Sequence, residues 1–153
     1  LQGKNPEARR WVDDVARQLN LTLEDLVSTM GRHAARAIEC KLVADRCEHW
    51  LAGLKPGAPS CAEFSIPKQA QGHGLCEAPR GALGHWLEID DHKIGHYQCV
   101  VPTTWNCSPR DDRGRPGAVE QALIGTPIAD AKQPLEAVRV VRSFDPCIAC
   151  AVH

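Results

Sequence analysis

Asp145-Pro146-Cys147-Ile148-Ala149-Cys150-Ala151-Val152-His153 closes the chain, and the reading of the whole sequence turns on it. Two thiols separated by two residues can face one metal ion, and thiolate selects soft or borderline ions. A c-type haem site needs His directly after the second Cys, where Ala151 stands instead. A thioredoxin-type dithiol sits beside a βαβ pattern, and none precedes this pair. A structural zinc site closes with four ligands. Cys147, Cys150 and His153 make three, and the other cysteines show no second close pair. Spacing alone points first to zinc, held by this trio in a non-catalytic module.

Working outward, Leu135, Val138 and Val141 predict a helix over 134–143, and 119–124 reads as a shorter one. The Pro- and Gly-rich stretch 106–117 reads as loop, with Asp111 and Asp112 in a solvated turn. Strands are predicted over 86–89 and 93–101, joined by Asp90-Asp91-His92 in a hairpin. Residues 54–71 read as loop, punctuated by Pro56, Gly57, Pro59 and Pro67. Asn5-Pro6 opens a helix over 7–19, with Trp11, Val12, Val15 and Leu19 at helical spacing. Thr22 with Asp25 forms a capping-box variant that is expected to open a second, longer helix ending at Gly53. Its stripe of Leu26, Val27, Met30, Ala34, Ala37, Ile38, Leu42 and Trp50 predicts a core face. Arg32, Arg36, Lys41 and Arg46 predict a solvated one.

The chain has 153 residues, 43% hydrophobic and 24% charged, which excludes disorder and permits a buried core. No apolar run approaches the ~18–20 residues that cross a bilayer. A net charge of −1 argues against nucleic acid as a partner and leaves no polybasic membrane patch. Of the eight cysteines, Cys40, Cys47, Cys61, Cys76, Cys99 and Cys107 are expected to pack as small buried thiols. Cys40 and Cys47, roughly 10.5 Å apart along one helix, are too distant to share a metal. His85 and His96 read as satisfied core histidines.

Three further segments change the meaning of the terminal motif. They are Glu77-Ala78-Pro79-Arg80-Gly81-Ala82-Leu83-Gly84-His85-Trp86, Tyr97-Gln98-Cys99-Val100-Val101-Pro102-Thr103-Thr104-Trp105-Asn106, and Val141-Arg142-Ser143-Phe144. Together, and in this order, they resemble the C-terminal part of the large, catalytic subunit of nickel–iron hydrogenases. The similarity runs from about Thr22 to the end and is closest to the membrane-associated uptake group. It implies an α+β, helix-rich fold forming only the C-terminal portion of that subunit. Residues 5–53 would be helical, 54–118 a loop and hairpin region, and 119–153 a metal-binding segment.

The resemblance also assigns roles. It makes Cys147 a terminal nickel ligand and Cys150 a thiolate bridging nickel and iron. The iron of that family carries carbon monoxide and cyanide. Arg80 matches the arginine above the open coordination edge, and Pro79 would pack against the diatomic ligands. Val101, Pro102 and Thr103 match the segment around a cyanide, with the Thr103 hydroxyl as donor. Asp145 matches a carboxylate near Arg80, although Asp before Pro is more often a helix N-cap. His153 and the carbonyl of Cys99 match ligands of a magnesium or iron ion.

The implied reaction is reversible heterolytic cleavage of H2 to protons and electrons. Electrons would leave through iron–sulfur clusters in a partner small subunit. The family's second thiol pair, Arg-x-Cys-Gly-x-Cys, does not occur in this sequence. The implication is an absent N-terminal half, with another segment or chain supplying that pair and a proton-passing glutamate. Only together with that half and the small subunit would the enzyme be active. Ending at His153 matches the processed form of such subunits. The expected location is the periplasmic side, membrane-associated only through partners, with the cytoplasm as the alternative.

Overall fold

The computed structural model describes residues 5–22 and 24–151, in two units divided between Ser60 and Cys61. His153 therefore lies outside the described residues, and its predicted ligand role has no structural counterpart here.

The first unit holds α1 (Pro6–Gln18) and α2 (Thr29–Ala52). Asn5 Oδ1 caps α1 by accepting from the backbone N–H of Glu7 and Ala8, each at 3.1 Å, with Pro6 in the first turn. The Thr22–Asp25 box forms, with Thr22 N–H donating to Asp25 Oδ2 at 2.7 Å and Asp25 N–H to Thr22 Oγ1 at 3.3 Å. It closes a separate turn rather than opening α2. The helix begins after Ser28, which is extended and whose Oγ accepts from Gly31 N–H at 3.0 Å. An ion pair of 2.5 Å between Arg46 and Glu7 joins the helices, and Lys41 Nζ lies 5.0 Å from the Trp11 ring centroid.

The predicted α2 core face is not buried. Val27 is 83% exposed, Met30 73% and Trp50 54%. Cys40 and Cys47 are exposed as well. A helix of 24 residues against one of 13 leaves much of its surface uncovered.

The second unit is built on an antiparallel sheet of order β1 (Gln69–Ala78), β2 (Gly81–Asp90), β3 (Lys93–Val100). Asp91 and His92 both have positive φ, 47° and 63°, as the hairpin turn favoured by strand twist requires. β1 falls partly in the stretch read as loop. Its Gly72, Gly74, Gln69 and Gln71 hide strand character, which comes from pairing with β2 along its full length.

Then follow α3 (Pro102–Cys107), α4 (Ala118–Leu123), α5 (Leu135–Ser143) and α6 (Ile148–Ala151). β3 ends one residue short of the predicted strand, and α3 then runs into the start of the predicted loop, because Pro102 takes the first helical position. Asp111 organises the loop before α4, accepting from Arg115 Nε at 2.7 Å and from the N–H groups of Arg113 and Arg115.

Among the described residues only Gly31, Gly84, Pro102, Val140 and Ser143 are buried. The expected core is thus not closed by this chain. Cys61, Cys76 and Cys107 are exposed and Cys99 half-buried, against the expectation of buried thiols. His96 is exposed too, whereas His85 is half-buried and hydrogen-bonds the Tyr97 hydroxyl. No described helix is long and apolar enough to cross a membrane.

Candidate metal centre

Three pieces of the second unit converge. The first is the β1–β2 turn, Pro79-Arg80. The second is the start of α3, where extended Val101 leads into buried Pro102 and half-buried Thr103. The third is the passage from α5 to α6. Asp145 sits there with φ of 51°, and its N–H donates to Arg142 O at 2.9 Å while Phe144 N–H donates to Val141 O at 3.1 Å. This is a left-handed helix stop, usually made by Gly or Asn and commonly followed by Pro, as Pro146 does here. Asp145 therefore ends α5 rather than capping α6, and that geometry turns its side chain to a different use.

That use is Arg80. Arg80 Nε lies 3.0 Å from Asp145 Oδ2 and donates to Asp145 O at 2.9 Å, closing a contact across 65 residues. Cys147 N–H donates to Thr103 Oγ1 at 3.2 Å, so α3 also grips the peptide that leads into the thiol pair. Cys150 N–H in turn points to Cys147 Sγ at 3.3 Å. Both sulfurs thus belong to one short turn, Cys147 standing just before α6 and Cys150 within it.

The two thiols differ electrostatically. Hydrogen bonds from the Cys150 side chain and backbone hold Cys147 below the ordinary thiol range, and the Arg80 charge adds to this. Sharing its proton with Cys147 pushes Cys150 up, together with burial, against the opposing hydrogen bond from Thr103. Cys147 is therefore the readier thiolate.

Arg80, Asp145, Thr103, Cys147 and Cys150 are thus brought together, with Pro102 buried at the start of α3. Pro79 is exposed in its turn. The Cys99 carbonyl accepts from Gln98 Nε2 at 3.0 Å. Cys99 and Cys150 line one cleft of about 610 Å³ with Leu83, His85, Tyr97 and Thr104. No sequence pattern gives Asn106 a role, yet its Nδ2 donates to Arg80 O at 3.2 Å. Its only signal was its place in the Tyr97–Asn106 segment.

No group of three or more His, Cys, Asp or Glu side chains among the described residues could hold a metal ion. The donor set is two soft thiols in one turn beside a guanidinium. That chemistry fits soft or borderline ions needing anionic sulfur, and it fits a four-thiolate centre by half.

The nickel-dependent hydrogenase family matches over residues 1–153. The chain is 49% identical over 152 residues to the uptake hydrogenase large subunit of Bradyrhizobium diazoefficiens, covering 93% of this chain and 26% of that protein. It is 51% identical over 126 residues to the periplasmic NiFeSe hydrogenase large subunit of Desulfomicrobium baculatum, covering 82% and 24%. Among solved structures, the reduced Ni-Fe-Se hydrogenase from D. vulgaris Hildenborough superposes with a TM-score of 0.78 at 48% identity, covering 82% of this chain and 26% of that one. The chain spans about a quarter of the length of the curated relatives it matches.

Proposed function

The chain belongs to the nickel-dependent hydrogenase family, as a C-terminal portion of an uptake-group large subunit, and from that premise we propose that it carries part of the catalytic site for reversible heterolytic cleavage of H2. The observation that supports this most directly is the thiol pair itself. Cys147 and Cys150 share one turn, held by Thr103 through the Cys147 peptide, with the Arg80–Asp145 pair alongside.

Cys147 and Cys150 would hold nickel, and Cys150 would be shared with iron. A segment or chain beyond this one supplies the second thiol pair. Pro79, Arg80, Val101, Pro102 and Thr103 would surround the iron's carbon monoxide and cyanide ligands, Thr103 giving a hydroxyl donor. Cys99, through its carbonyl, and His153 would hold a magnesium or iron ion. When bound, the nickel–iron group supplies the place where H2 is polarised and split. The chain's own residues manage charge and protons there. Arg80 is a cation that cannot give up its proton in a protein, so it offsets negative charge and accepts none. A thiolate of the Cys147–Cys150 pair would take the proton. Iron–sulfur clusters of a small subunit would carry the electrons away. The assembly works on the periplasmic side, attached to the membrane through its partners.

Elemental analysis of the assembled complex tests this. One nickel per complex is expected, with iron in excess of it because the small subunit's clusters add their own, and with nickel lost in Cys147→Ser and Cys150→Ser. Stoichiometric zinc without nickel would overturn the proposal in favour of a zinc module.

A further inference from the structure

We propose that Asn106 is a positioning residue for Arg80, acting on its backbone while Asp145 acts on its side chain; the inference rests on the role given to Arg80 above. The β1–β2 connection has two residues, Pro79 and Arg80, between the paired Ala78 and Gly81. Proline fixes φ near −65°. The two-residue turns that match strand twist need positive φ at that first position. This hairpin therefore cannot use them, and Arg80 is not among the residues of positive φ either. The mismatch falls on Gly81, whose φ is 131°, a conformation that side-chain-bearing residues rarely adopt. A turn whose twist opposes its strands draws its definition from outside the hairpin.

Asn106 provides that outside contact. Its amide Nδ2 donates to the Arg80 carbonyl at 3.2 Å from within α3. The same helix presents Thr103 to the Cys147 peptide. α3 thus holds two backbone points at once, one carrying the guanidinium and one carrying the thiol pair. The distance between cation and sulfur is set by the spacing of Thr103 and Asn106 on one helix. An aspartate at 106 would face the carbonyl with an acceptor, and a leucine would offer no donor.

The test uses the assembled, metal-loaded complex carrying Asn106→Asp, with Asn106→Leu as the uncharged equivalent should the first fail to assemble. Amide hydrogen exchange, followed by mass spectrometry over residues 78–84, should quicken in either variant. The kcat for H2 oxidation should fall about threefold to tenfold, as loss of one neutral hydrogen bond permits, with nickel content and acceptor KM unchanged. Combined with Arg80→Lys, the Asn106 substitution should add little, because both act on one group. Full additivity of the two substitutions, or unchanged exchange and turnover, would overturn the inference. If Arg80→Lys lowers turnover while the Asn106 variants do not, this inference alone fails. If Arg80→Lys has no effect, the role of Arg80 fails and takes the inference with it.

Discussion

Arg80→Lys keeps the charge at the site and removes the planar donor group. In the native arrangement Arg80 Nε faces two acceptors of one residue, Asp145 O at 2.9 Å and Asp145 Oδ2 at 3.0 Å. A lysine ammonium is a point charge on a flexible stem, and it cannot reproduce the guanidinium's fixed geometry. At least one charge-assisted hydrogen bond, about 1.5–3 kcal/mol in a protein, is lost or lengthened. Because the two side chains are 36% and 42% exposed in this chain, solvent screening puts the effect at the lower end. About 1.4 kcal/mol at the barrier is a tenfold loss of turnover. The assay is H2 oxidation by the assembled complex, with nickel and iron measured on the same sample. Metal content should stay near that of the unmodified complex while turnover falls about tenfold. Full activity in Arg80→Lys would show that charge alone suffices and that the Asp145 contact has no part in turnover.

Two further outcomes follow from the geometry. In metal-free protein, a thiol-alkylating reagent should label Cys147 before Cys150 as pH is raised toward the ordinary thiol range of about 8.5, because the lowered group forms its thiolate first; equal labelling across that range would contradict the assigned asymmetry. Gly31→Ala should destabilise the first helical pair even though Ala is the better helix former by about 1 kcal/mol. A Cβ at Gly31 would stand 2.0 Å from the Leu26 carbonyl oxygen, and the overpacking cost of about 1–3 kcal/mol exceeds the propensity gain. The thermal midpoint should drop by a few degrees, and an unchanged or higher midpoint would refute this.

Local features were legible where local chemistry decides them. Asn5-Pro6 starts a helix because both residues act within the first turn, and a separation of three residues keeps Cys147 and Cys150 in one local turn. Asp90-Asp91-His92 makes its hairpin for the same reason. The resemblance carried the family and the list of residues at the site. It did not say that Asp145 would end α5 in a left-handed conformation, since Asp before Pro reads equally well as an N-cap. The Thr22–Asp25 box misled in a similar way. Its hydrogen bonds form as its sequence requires, but the extended backbone of Ser28 gives the helix a later start.

What the sequence by itself determined is therefore the chemistry at hand: a thiol pair at ligand spacing, a permanent cation, a hydroxyl and a carboxylate in recognisable segments. Which of these meet was decided by tertiary structure. The Arg80–Asp145 contact spans 65 residues and the Thr103–Cys147 contact 44, and no periodicity encodes either. β1 exists because β2 lies beside it, and the glycines in its sequence argue for a loop until that pairing is made. The expected burial of the cysteines failed on the same ground. Apolar spacing shows which face of a helix seeks cover, whereas cover itself depends on what is packed against that face, which is a property of the assembled tertiary structure.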